Sequence, residues 1–217
     1  MKLPLLLVNF KTYEKGTGRK AEGLAKTCEM VSEEAGKNIV PVVQVSDLYR
    51  VSNKVDIPVY AQRIDPVNYG SNTGHVLPKG LKENGASGVV INHSEDRRDM
   101  EVIESCIKKA SGLGFDTLVC AESPEEAGKI SDLEPDMVAI EPPELIGGDV
   151  SVSSARPEVI TDSLERVNRP LICGAGIKSK EDVEKALELG ARGVFVASGI
   201  VKAEDPEERI KELVEPF

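Results

Sequence analysis

The 217-residue chain is predicted to fold as a compact, single-domain α/β protein, a parallel (β/α)8 barrel spanning residues 1–217. Three observations predict it. Eight short apolar runs recur along the chain with helical segments between many of them, the rhythm of a parallel sheet. The runs are almost continuously Val, Ile, Leu and Ala, as expected for strands buried on both faces. No Pro/Gly/Ser-rich linker or low-complexity stretch divides the sequence. Eight units favour closure, because an open doubly wound sheet more often stops at about five or six strands. The first unit also lacks the GxGxxG turn of a dinucleotide fold. Barrels of this kind typically need ~250 residues, so this one is short.

The elements follow in order. Leu3 to Val8 is the first strand, and Arg19 to Glu34 the first helix, with Leu24, Cys28 and Val31 on one face. Ile39 to Val45 and Val59 to Gln62 are the second and third strands. Gly88 to Asn92 is the fourth, followed by a helix whose apolar face carries Met100, Ile103, Ile107 and Ala110. Asp116 to Ala121 is the fifth and leads into a helix from Pro124 to Ser131. Asp136 to Glu141, Pro170 to Cys173 and Gly193 to Ala197 complete the set. Helices at Lys180–Leu189 and Pro206–Val214 follow the last two strands.

Composition narrows the function. A net charge of −10 argues against general nucleic-acid binding, which needs a basic face. Any anionic ligand must instead be held by local dipoles and a few placed cations. No apolar run approaches the ~18 residues of a membrane helix, and the start lacks the small-residue cleavage site of a secretory signal. Cys28, Cys106, Cys120 and Cys173 form no CxxC pair and have no histidine at metal-ligand spacing. They read as buried free thiols of a cytoplasmic protein, with no metal site. Asn92-His93-Ser94 spells a glycosylation sequon, which is set aside because nothing else suggests secretion.

In a barrel of this type the reacting groups gather at the carboxyl ends of the strands. Asn9 and Lys11 end the first strand, His93 ends the fourth and Glu141 ends the sixth. Each alone has an ordinary reading as a solvated or hydrogen-bonded loop residue. Together they put a cation, an imidazole and a carboxylate on one rim. Pro142 and Pro143 stiffen the chain beyond Glu141, and Gly147-Gly148 loosens it further on, a pattern that suits a lid. Gly174-Ala175-Gly176 after strand seven and Ala197-Ser198-Gly199 after strand eight are small enough for backbone N–H groups to approach a phosphate.

The segments "VNFKTY", "TGHVLPKGLKENGASGVVINHSEDRR", "AIEPPELIGG", "CGAGI" and "ASGIVK" together resemble triosephosphate isomerase in its short, archaeal-type form. The resemblance runs in order over nearly the whole chain. It implies a TIM barrel that interconverts dihydroxyacetone phosphate and glyceraldehyde 3-phosphate through an enediolate, in glycolysis and gluconeogenesis, without metal or organic cofactor. It further implies Glu141 as the base, His93 as a neutral electrophile, and Asn9 and Lys11 as substrate-binding groups that stabilise enediolate charge. Gly147, Gly174, Gly176, Ala197 and Ser198 fall in the phosphate subsite, and Ile146 closes over it. Glu95 is expected to hold Lys11, and Ser94 to Arg98 to open a helix behind His93. Thr73 sits where the family reaches into a neighbouring subunit, which implies a homo-oligomer, dimer or tetramer. The chain departs from the common pattern in having Asn92 where glycine is frequent and Ala197-Ser198 in place of a double glycine. Two other readings stay open at this point: a phosphosugar epimerase or lyase on the same barrel, and a non-catalytic phosphosugar-binding protein.

Overall fold

The computed structural model describes residues 2–145 and 151–217. Eight parallel strands close into a barrel in sequence order: β1 (Leu5–Asn9), β2 (Asn38–Val43), β3 (Tyr60–Ala61), β4 (Gly88–Ile91), β5 (Asp116–Ala121), β6 (Met137–Ile140), β7 (Leu171–Cys173) and β8 (Gly193–Val196). Closure is made by β8 against β1, with Leu5 opposite Gly193 and Val8 opposite Val196. Only glycine fits at 193, because a Cβ there would lie 2.2 Å from the Leu5 carbonyl oxygen.

The period of two along each strand divides the core. Leu5, Leu7, Val90, Leu118, Cys120, Met137, Ala139, Ile172 and Phe195 pack inside the barrel. Their neighbours Leu6, Val8, Val89, Val119, Val138 and Val194 face outward against the helices. This is why the strands read as unbroken apolar runs: both faces are dry. The amino end of the barrel is closed by structural polar contacts. Tyr60 donates to Asp116 at 2.8 Å, and Asp136 accepts both the N–H and the hydroxyl of Thr117 at 2.8 and 2.9 Å. The carboxyl end is left for chemistry.

Four of the outer helices match the expected spans closely: α1 (Arg19–Ala35), α4 (Met100–Gly112), α5 (Pro124–Ser131) and α10 (Pro206–Val214). The helix expected at Lys180–Leu189 is α8 (Lys180–Glu188). The rest correct the sequence reading. The second run does not continue to Val45: β2 stops at Val43, and Gln44 in an extended conformation starts α2 (Val45–Ser52). Val45 misleads because it is an exposed apolar residue in a first helical turn, while Leu48 and Val51 make the buried contacts. Helices α3 (Pro78–Glu83), α6 (Val152–Ala155), α7 (Pro157–Leu164) and α9 (Ser198–Val201) were not anticipated. The helix expected from Ser94 is also displaced. Residues 94–96 form a turn, closed by the Asp96 N–H on the His93 carbonyl at 2.8 Å, and α4 begins only at Met100.

Candidate active site

The alternation that fills the barrel also aims the rim. Continuing the inward series Leu5, Leu7 brings Asn9 and then Lys11 to the mouth, and Met137, Ala139 brings Glu141. On β4 the inward position after Val90 is 92, so regular alternation would turn His93 outward. Asn92 prevents this by adopting a left-handed conformation, φ 61°. Asparagine tolerates that region better than most side chains, and here its amide secures it. Nδ2 donates to the Cys120 carbonyl at 2.9 Å, and Oδ1 accepts the Arg98 N–H at 2.9 Å. Asn92 therefore makes the required turn and anchors it through its own side chain. Lys11 (φ 46°) and Ala175 (φ 64°) are likewise held at positive φ, so backbone strain gathers on this rim.

Asn9, His93 and Glu141 are buried, and the Lys11 side chain is 13% exposed. All four line one cleft with Gly176, Ala197 and Ser198. Lys11 donates to Glu95 Oε1 at 2.8 Å, as expected of Glu95, leaving ammonium hydrogens for a ligand. Asn9 Oδ1 accepts the Lys11 N–H at 3.0 Å and a Gln62 amide hydrogen at 3.3 Å. Its carbonyl is thus engaged, and its NH₂ is the group left to donate into the cleft.

His93 has a defined tautomer. The Glu95 backbone N–H points at His93 Nδ1 at 3.2 Å, so Nδ1 accepts and carries no proton. That contact leaves Nε2 as the nitrogen free to donate into the cleft. That nitrogen faces Glu141 Oε2 at 3.8 Å. Phe195 supports the imidazole edge-on, the ring centroids 6.0 Å apart. Glu141 Oε2 is buried and without a partner among the described residues. An unsatisfied buried carboxylate oxygen is costly unless something is meant to meet it. Burial, and then the charge of Glu141, hold the neighbouring Cys120 thiol well above the ordinary thiol range, so that sulfur stays protonated beside the carboxylate.

Gly174 supplies space rather than an amide. Its N–H is spent on the Ile140 carbonyl at 3.0 Å, and a Cβ would lie 2.5 Å from Glu141 Cγ. Gly174→Ala is accordingly expected to push the carboxylate aside and lower kcat about 10²-fold, the scale of a misplacement near 1 Å. Steady-state kinetics alongside an unchanged far-UV spectrum checks this. The N–H groups of Gly176 and Ser198, by contrast, meet no acceptor among the described residues and remain available to an anion. Ser94 lies beside His93 with its hydroxyl oxygen buried and unpartnered among those residues. Thr73 is exposed and remote from the cleft lining. Ile146 and Gly147, and with them the far end of the expected lid, residues 146–148, lie outside the described residues.

Gln62 was missed. Besides Asn9 it donates to the Lys11 carbonyl at 3.1 Å and the Val42 carbonyl at 3.2 Å, tying the end of β1 to the end of β3. Its place at the close of the third strand was the available signal. Tyr13 and Phe195 also line the cleft without having been singled out.

The chain is similar to known proteins over nearly its whole length. Curated triosephosphate isomerases from Methanobacterium bryantii and Methanocaldococcus jannaschii are each 45% identical to the chain. The alignments cover 97% of the chain in both cases, and 96% and 98% of those proteins respectively. That of Saccharolobus solfataricus is 43% identical over 99% of the chain and 96% of its own length. The solved triosephosphate isomerase of Bartonella henselae superposes with a TM-score of 0.71, covering 95% of this chain and 97% of that one. At 22% identity it speaks for the fold alone. The family profile described as triosephosphate isomerase matches residues 4–215, and with the archaeal relatives it establishes that the chain belongs to the triosephosphate isomerase family.

Proposed function

We propose that the chain interconverts dihydroxyacetone phosphate and D-glyceraldehyde 3-phosphate, with Glu141 moving a proton between adjacent carbons. The observation that carries this reading is the buried Glu141 Oε2, without a hydrogen-bond partner among the described residues, opposite His93 Nε2. A C–H beside a carbonyl is a weak acid, so both a positioned base and charge stabilisation are needed. Glu141 takes the proton. The C–H electron pair becomes the new C=C bond, and the carbonyl π pair moves to oxygen. The resulting enediolate oxygen is met by His93 Nε2–H and by the Lys11 ammonium. Asn9 orients the oxygens from below. Return of a proton to the former carbonyl carbon, with the proton of the neighbouring hydroxyl passing to the enediolate oxygen as that second C–O becomes the carbonyl, gives the isomer with no net oxidation. A positioned base of this kind typically contributes ~10²–10⁴-fold, and each donor aimed at a developing oxyanion ~10²–10³-fold. The phosphate is held by the amides at Gly176 and Ser198, which meet no acceptor among the described residues.

A coupled assay with glyceraldehyde 3-phosphate tests the activity. In the same assay His93→Gln is expected to lower kcat about 10²-fold with KM changed only a few-fold, since the imidazole acts on charge that exists mainly after proton removal. Imidazole ¹⁵N shifts near neutral pH are expected to report a proton on Nε2 alone. A doubly protonated ring would contradict the assigned role.

We further propose a homo-oligomer built through the segment between Asp65 and Val76. Asp65 fastens its base, accepting the Val76 N–H at 2.7 Å and donating its own N–H to the Val76 carbonyl at 3.1 Å. Thr73 to His75 stand exposed at the tip. Beside Lys11 a second depression, lined by Thr12, Gln62, Arg63 and Glu95, offers a receptor for such a tip in a self-complementary interface. Light scattering is expected to give at least twice the 23.4 kDa chain mass, and Thr73→Arg to reduce it. A monomeric wild type would refute this. A cytoplasmic setting is supported by four buried cysteines in the free state, and no described helix is long and apolar enough to cross a membrane.

A further inference from the structure

We infer that Asp182 is a positioning residue for the phosphate subsite, fastening the loop after β7 to the chain that follows residue 150. The inference rests on the reading that this loop holds the substrate phosphate. Asp182 is the third residue of the capping box of α8. Its Oδ2 accepts the N–H of the cap residue Ser179 at 3.1 Å, and its own N–H meets Ser179 Oγ at 3.4 Å. A cap needs no more than this. Asp182 does more. Oδ2 also accepts the Lys178 N–H at 3.0 Å, while Oδ1 accepts the hydroxyls of Ser151 and, at 3.2 Å, Ser154. The Asp182 carbonyl takes the Ser153 hydroxyl at 2.9 Å. Both carboxylate oxygens are thereby saturated by two amides on one side and two hydroxyls on the other.

One side belongs to the cleft and the other stands behind it. Lys178 lines the cleft together with Gly176 and Ile177. Ser151 to Ser154 lead into and form α6, just beyond the segment that follows Glu141. A second bond repeats the link: the Val152 N–H meets the Ala175 carbonyl at 3.2 Å. Ala175 and Gly176 are consecutive residues at positive φ, and Ala175 is not a glycine, so this turn needs holding from outside. Asp182 holds its far end.

Charge and position make opposite predictions here, which gives the test. A carboxylate close to an anion site opposes phosphate binding by Coulomb's law, so its removal should tighten binding if charge were its only influence. If Asp182 positions the amides, its removal loosens binding instead. The experiment is competitive inhibition of the isomerase reaction by inorganic phosphate. Asp182→Ala is expected to raise the phosphate Ki and the substrate KM at least tenfold, with kcat at saturation within about threefold of wild type. Asp182→Asn keeps an acceptor oxygen for the two amides, and hydroxyls can rotate to accept from its NH₂. It is expected to hold Ki within threefold of wild type. Ser131→Ala cuts a buried clasp to Asn168 away from the cleft and controls for general loss of stability; its Ki is expected to be unchanged. A folded Asp182→Ala with wild-type or tighter phosphate binding overturns the inference. Should that variant not fold, Ser151→Ala/Ser154→Ala cuts the same tie from the other side and is expected to raise Ki at least threefold; an unchanged Ki there overturns it equally. Failure of phosphate to compete in the wild type would overturn the phosphate-loop reading itself, a separate result.

Discussion

Glu141→Gln is expected to lower kcat by at least ~10³-fold while leaving the fold and the affinity for inorganic phosphate nearly unchanged. The substitution keeps the volume of a side chain packed against Gly174, where little free space exists. It removes only the ability to take a proton. The loss should fall on kcat, because an amide can still fill the space and bind a substrate, and the phosphate amides lie elsewhere on the rim. Among the described residues no other carboxylate is placed to substitute: Glu95, near His93, is engaged with Lys11 and approaches the opposite ring nitrogen. A variant retaining more than a tenth of wild-type kcat would remove Glu141 from the reaction.

Lys11→Met is expected to reduce kcat/KM by ~10³-fold or more, divided between a higher KM and a lower kcat. The methionine preserves the stem and deletes the charge. In a chain of net charge −10, Lys11 is a cation that faces the cleft from beside the base and the imidazole. It serves the dianionic substrate before reaction and the enediolate during it, so both parameters should move. Glu95→Gln keeps a hydrogen-bond acceptor for Lys11 but loses the ion pair, and is expected to cost only about tenfold. Glu95 is 61% exposed, so solvent takes over much of what the pair supplies. Unchanged KM together with kcat within tenfold in Lys11→Met would show that the substrate's charge is met elsewhere.

Much of this site was legible because a barrel converts strand ends into a rim. Asn9, Lys11 and Glu141 stand at positions that the inward alternation continues, so locating the strands located them. His93 was found for a different reason, as a histidine at a strand end, and alternation alone would have turned it away. What redirects it is the left-handed Asn92, whose contribution depends on Cys120 and Arg98, partners that no local pattern reveals. The roles of Gln62 and Asp182 could not be read locally for a like cause: Gln62 acts on the Lys11 carbonyl and Asp182 on the Ser151 and Ser154 hydroxyls, groups distant in sequence. Among the elements, α2 was absorbed into the preceding strand because Val45 prolongs an apolar run across the true boundary at Gln44. Helix α7 begins on a proline and buries only Val159, Ile160 and Ser163, too short a stripe to stand out from its sequence. Ser94 to Arg98 carry the charges of a helix start, yet three of them are drawn into pairs with Lys11, Asp65 and Glu126, which favours a turn.

The central claim is that Glu141 passes a proton between carbons, and solvent exchange tests it most directly. Isomerisation of glyceraldehyde 3-phosphate is run in D₂O and the product analysed by proton NMR. A proton held on a carboxylate can exchange with solvent before it returns, so a measurable fraction of the dihydroxyacetone phosphate is predicted to carry deuterium at the carbon that gains hydrogen. Glu141→Gln should abolish that incorporation together with turnover. Complete retention of the substrate's own hydrogen in the wild-type product, or deuterium incorporation that persists at wild-type rate in Glu141→Gln, would contradict the account.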